Sequence, residues 1–138
     1  MLDFEPMSSP PTHAVSPVVP AVLALAEARG GSGRDVIAAC AKGFEIQGRI
    51  LAAAKPARGA LPFHSPGVMG PMGSAVASAH MLKLDAAQLA NALGMVHDLA
   101  YRESAYPRRE FKIPSADLPS DCYRLFDFDV CIVLRHVG

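Results

Sequence analysis

No long run of lysine or arginine occurs in the chain, and its 13 basic residues are balanced by 13 acidic ones, leaving a formal net charge of zero at pH 7. The electrostatic footprint of a nucleic-acid or anionic-membrane binder is therefore missing, which points to a small molecule or a protein as partner. No apolar run approaches the roughly 18 residues that a membrane span requires. The opening residues, Met1-Leu-Asp-Phe-Glu-Pro-Met-Ser-Ser-Pro-Pro11, hold neither a basic n-region nor an apolar h-region, so the expected compartment is cytoplasmic. Cysteine is scarce. Cys40, Cys122 and Cys131 are odd in number and widely spaced, which fits neither a disulfide framework nor paired zinc ligands, and reduced thiols are expected. His-Glu-x-x-His and Cys-x-x-Cys patterns are absent, so no metal and no other cofactor is expected. Ser65 does not lie in Gly-x-Ser-x-Gly, which leaves a hydrolase nucleophile elbow without support.

What is present is apolar and rich in alanine: 51% of the 138 residues are hydrophobic and 19% charged, enough for one domain with a core. Pro17 and Pro20 open an apolar stretch that Gly30-Gly31 follows, which predicts a first helix over about 18–29. Ser32 with Asp35 is a helix-start signal, and Val36, Ile37, Cys40, Phe44, Gln47 and Leu51 recur at helical spacing, predicting a second helix to about Ala54. A loop is expected from Pro56 to Pro71, then a small-residue helix through Gly73-Ser-Ala-Val-Ala-Ser-Ala-His-Met-Leu82 that another helix can approach closely. Asp85 and Gln88 form a capping-box pattern ahead of Leu89, Leu93 and Val96, the stripe of a fourth helix. The expected class is all-α.

After Val96 the composition changes. The last 42 residues hold 13 of the 26 charged residues, all three tyrosines and only Ala100, Ala105 and Ala116. Residues 1–96 are thus read as the helical domain and 97–138 as an irregular, weakly structured tail, in which Arg124 to His136 has the alternation of a strand.

Two histidines stand where Pro-rich loops run into helices: Thr12-His13-Ala-Val-Ser-Pro17 and Pro62-Phe-His64-Ser-Pro-Gly67. An imidazole held at such an entrance is placed for proton transfer near neutral pH, with Asp3 as a charge that orients a ring or raises its pKa. The bland alternative is a pair of surface or hydrogen-bonding histidines. Gly67-Val-Met-Gly70-Pro-Met-Gly73 lies ahead of a predicted helix, whose amides and dipole attract a carboxylate or phosphate; the competing reading is tight turning and close helix packing. Ser65 and Gly67 there, with Gln47 and Arg49 on helix two, are the candidate substrate contacts, although an arginine at such a position is commonly only a solvated helix face. His80, His97 and His136 have no partners at metal-ligand spacing, and Cys40 falls on an apolar stripe as a small core residue.

The order of these features resembles the MmgE/PrpD family of lyases. The matching residues are Asp3-Phe-Glu, Thr12-His13, Ser16-Pro-Val-Val-Pro20, Ala24-Leu-Ala-Glu27, Gly43-Phe-Glu-Ile-Gln-Gly-Arg49, Phe63-His64-Ser-Pro-Gly-Val-Met-Gly70, Gly73-Ser-Ala-Val-Ala and Leu84-Asp-Ala-Ala-Gln-Leu-Ala-Asn-Ala-Leu-Gly94, spanning about residues 3–96. The resemblance implies a helical domain beside a second, lid-like domain. It also implies chemistry on a small di- or tricarboxylate without an iron–sulfur cluster: dehydration of a 2-methylcitrate-like substrate or decarboxylation of a cis-aconitate-like one. Asp3, His13 and His64 fall where such enzymes place active-site groups, and the wording around His64 is closer to the decarboxylase branch. A homodimer or other self-association is expected through apolar faces left exposed.

The departures count as well. Family members are several times longer, and a lysine-bearing motif expected soon after Gly94 is replaced by Val96-His-Asp-Leu-Ala-Tyr-Arg-Glu103. The chain therefore looks like an internal piece of the family's helical domain with a foreign tail, and two functions stay open: a polycarboxylate lyase, or a catalytically inactive remnant serving as a helical interaction module.

Overall fold

A computed structural model of the chain describes Ser8, residues 12–54 and residues 65–105, with 65 and 99–105 described in backbone alone. Four helices make up most of the described residues: α1 (Val15–Arg29), α2 (Gly33–Ala54), α3 (Ser65–Leu82) and α4 (Ala86–Ala105). The all-α class is as the composition and periodicity require, and among the described residues there is no strand. The strand-like stretch at 124–136 lies outside them.

Helix ends follow their local chemistry. Gly30 closes α1 in the left-handed region at φ 72°, and the amides of Gly30 and Gly31 both donate to the Ala26 carbonyl, at 2.9 and 3.0 Å. Before α2, the Asp35 amide donates to Ser32 Oγ and the Ser32 amide to Asp35 Oδ2, each at 3.2 Å. At α4 the Gln88 amide donates to Asp85 Oδ1 at 2.9 Å and the Asp85 amide to Gln88 Oε1 at 3.0 Å. Both predicted caps are thus formed. The C-terminus of α3 is closed by Lys83 at φ 56°, with the Leu84 amide on the Ala79 carbonyl and the Lys83 amide on that of His80, a Schellman pattern built on a non-glycine residue.

Three boundaries differ from expectation. α1 starts at Val15 rather than near residue 18, taking Pro17 into its first turn, where a missing N–H costs nothing, and containing Pro20. α3 starts at Ser65, so the expected loop stops short of Pro66 and Pro71, and the run of glycines lies inside a helix. α4 passes Val96 and continues to Ala105. The change of composition there carries no helix breaker; the next is Pro107, which disfavours helical geometry at the residue before it.

α3 contacts each of the other three helices and is built for that place. Its buried positions are Met69, Gly70, Pro71, Gly73, Ser74, Ala75, Ala77, Ser78 and Ala79, nearly all small, so backbones can approach on every side. Val18 and Val22 of α1, Ala39 of α2 and Ala77 of α3 form the fully buried centre, flanked by Val36, Cys40, Phe44 and Met81. Each of those two valines contributes about 1.5–3 kcal/mol by leaving water.

Candidate functional site at the entrance of helix α1

The backbone around His13 is pinned from three directions. Thr12 and Ala14 are buried and His13 between them is half-buried. The Ser8 amide and hydroxyl both donate to the Thr12 carbonyl at 3.1 Å. On the other side of the histidine, the Gln47 side-chain amide donates to the Ala14 carbonyl at 3.2 Å. One turn into α1, the Ser74 hydroxyl donates to the Pro17 carbonyl. Helices α2 and α3 therefore both hold the segment that carries the imidazole.

The packing also fixes which helix ends share a side of the bundle. A Cβ at Gly70 would stand 3.0 Å from Pro17 Cβ, near the start of α1, and one at Gly31, just past its end, 2.6 Å from Met81 Cε. α1 and α3 accordingly run parallel in direct contact, with α2 antiparallel to both: Gln47 reaches Ala14, and Lys42 Nζ lies 2.8 Å from His80 Nδ1 at the other end. His13 precedes α1 and Ser65 is the first residue of α3, so both stand at one end of the bundle. His64 immediately precedes Ser65; it and Asp3 lie outside the described residues.

The two ends differ in where acidic side chains meet a helix start. Neither α1 nor α3 has an acidic residue in its first turn, and Ala14 gives α1 no side-chain cap. At the opposite end α2 and α4 carry Asp35 and Asp85 in their capping boxes. At the histidine end the first turns of α1 and α3 therefore hold no acidic side chain to complement the helix dipoles.

The remaining predicted contacts separate. Gln47 and Arg49 are two residues apart on α2 and so point to opposite sides. Gln47 is fully buried under the His13 segment. The Arg49 side chain is 75% exposed and paired through Nε with Glu45 Oε1 at 2.7 Å, on an open groove lined by Ala41, Lys42, Ile46 and Val76. Gly67 is half-buried in the first turn of α3, and Ser65 begins that helix. Gly70 and Gly73 serve close packing, since a Cβ at Gly73 would stand 2.3 Å from Gln47 Nε2. Cys40 packs in the core, where burial pushes its thiol up and away from the reactive thiolate. His97 is exposed on α4, and His136 lies outside the described residues.

Gln47 as a brace for Ala14 and Ser74 as a brace for Pro17 were not foreseeable as pairs, because each bond joins residues far apart in sequence. The usable signal was glycine on facing helices, at 43 and 73, where a side chain or backbone needs the room.

Comparison with known proteins carries this further. The MmgE/PrpD N-terminal domain matches residues 1–110. Cis-aconitate decarboxylase of Homo sapiens is 39% identical over 100 residues, covering 68% of this chain and 21% of that protein. Cis-aconitate decarboxylase of Mus musculus is 36% identical over 100 residues, covering 68% of this chain and 20% of that protein. The chain thus spans about a fifth of the length of these curated relatives. No solved structure matches it. With four helices in the expected order and the domain matched from the Asp3 motif past the fourth helix, the chain belongs to the MmgE/PrpD family.

Proposed function

We propose that the chain supplies the histidine-bearing part of a lyase site for a small di- or tricarboxylate, with cis-aconitate-like decarboxylation favoured over 2-methylcitrate-like dehydration. The observation that carries this reading is the shared bundle end: His13 and the start of α3 stand beside two helix N-termini that hold no acidic residue in their first turns. The identity to two cis-aconitate decarboxylases supports the decarboxylase branch. Loss of CO2 leaves an electron pair that ends with one proton delivered to carbon. Dehydration needs one proton removed from carbon and one given to the leaving hydroxyl. Two imidazoles, His13 and His64, serve either course as general acid and base, with Asp3 orienting one ring and the helix ends holding substrate carboxylates. No described helix is long and apolar enough to cross a membrane.

The test is product detection by NMR after separate incubation of the purified chain with cis-aconitate and with 2-methylcitrate. Turnover should fall by roughly 10²–10⁴-fold in both His13→Ala and His64→Ala. Retained turnover in either variant rules out the paired-imidazole mechanism. A second reading, an interaction module without turnover, is favoured by Ile37, 73% exposed in the second turn of α2, together with exposed Leu23, Val15 and Met95. It requires a folded chain that is inert towards both substrates and associates with rising concentration.

A further inference from the structure

Gln47 is the largest fully buried side chain among the described residues, and it is polar. A leucine or methionine would fill similar space without taking an amide from water, so the carboxamide is an expense unless its bond matters. Only half of it is matched: Nε2 donates to the Ala14 carbonyl, while Oε1 is buried with no hydrogen-bond partner among the described residues. The space it fills is made by a second residue. A Cβ at Gly73 would stand 2.3 Å from Nε2, 2.6 Å from Cγ and 2.7 Å from Cδ of Gln47, so α3 gives up a side chain where α2 inserts this one. The bond it makes falls on the residue after His13, at a helix start with no side-chain cap to fix the backbone.

From this geometry we infer that Gln47 is the positioning residue for His13, with Gly73 as its socket: the amide holds the Ala14 carbonyl and thereby sets where the preceding imidazole stands. The functional weight of this rests on the reading of His13 as a proton-transfer group. The positioning itself does not, and the experiment separates the two.

The experiment uses the full chain with 13C,15N-labelled histidine and glutamine. In Gln47→Met, which keeps the volume and removes the donor, the His13 imidazole cross-peaks should shift or split. Those of His80 and His97, on the far half of α3 and on α4, should stay in place. Coincident His13 cross-peaks in folded wild type and variant overturn the inference. Should Gln47→Met not fold, Gln47→Leu, which also removes the donor, is read the same way, and the native chain offers a measurement without mutation: a Gln47 side-chain amide proton that exchanges at the rate of a free carboxamide also overturns it. Where the chain turns over substrate, a positioning role lowers kcat on the order of 10²-fold with KM unchanged, whereas direct substrate contact by Gln47 would raise KM. An inert chain whose His13 signals still move on Gln47→Met would defeat the lyase reading and leave the positioning intact.

Discussion

A methyl group added at position 43 would stand 2.9 Å from the Gly73 carbonyl oxygen, 2.9 Å from Val18 Cγ1 and 3.1 Å from Ala77 Cβ. A backbone oxygen cannot swing aside, so α1, α2 and α3 would have to separate where they pack closest. The same change at Gly48, on the same helix, meets nothing within 4 Å. Alanine is the better helix former by about 1 kcal/mol, and at position 48 that preference acts unopposed. Gly43→Ala should therefore lower unfolding stability by about 1–3 kcal/mol, the usual cost of overpacking, while Gly48→Ala raises it by about 0.5–1 kcal/mol. Denaturant melts of the two variants beside wild type check the pair, and equal signs would contradict the packing. Neither outcome is visible in Gly43-Phe-Glu-Ile-Gln-Gly-Arg49 read as a string, because the two glycines differ only in what faces them.

At the scale of the helix, what was legible in the sequence was what is local. Ser32 with Asp35, Asp85 with Gln88, and Gly30-Gly31 each act within a few residues, and each marks the boundary it was expected to mark. The start of α3 was misplaced because Pro66, Gly67, Gly70 and Pro71 are breakers by intrinsic preference, yet contacts with all three neighbouring helices override that preference. The histidines could be picked out as helix-entrance residues, but the parallel course of α1 and α3 that sets His13 at the same end as Ser65 depends on non-local packing. The α2 cap also has a pH dependence. Hydrogen bonds from the Ser32 side chain, then from its backbone, hold the Asp35 carboxyl below its ordinary value. A carboxylate depressed in the folded state adds stability that is fully present above the ordinary carboxylate pKa and is lost as pH falls through the folded value. Thermal midpoints of wild type and Asp35→Asn should hence differ at neutral pH and converge in acid. A gap that stays constant, or widens on acidification, would show that this cap does not work through the charged carboxylate.

At the scale of the whole molecule, each end of the bundle collects two helix N-termini, and the chain treats them differently. Where α2 and α4 begin, Asp35 and Asp85 supply negative charge of its own. Where α1 and α3 begin, no acidic residue occupies either first turn, and one of the two histidines stands beside them. On the proposed lyase reading, an incoming polycarboxylate is expected at the end where α1 and α3 begin, by partial charges that act within the first turn of each helix. Titrating the 15N-labelled chain with cis-aconitate should therefore move amide signals of residues 12–18, 47–54 and 65–70 and leave 32–36 and 83–88 in place. Raising the ionic strength to about 1 M, where the Debye length is about 3 Å, should weaken the shifts. Shifts spread over both ends, or confined to the Lys42, Glu45 and Arg49 groove, would show that the helix termini do not select the anion and that carboxylate recognition lies elsewhere on the chain.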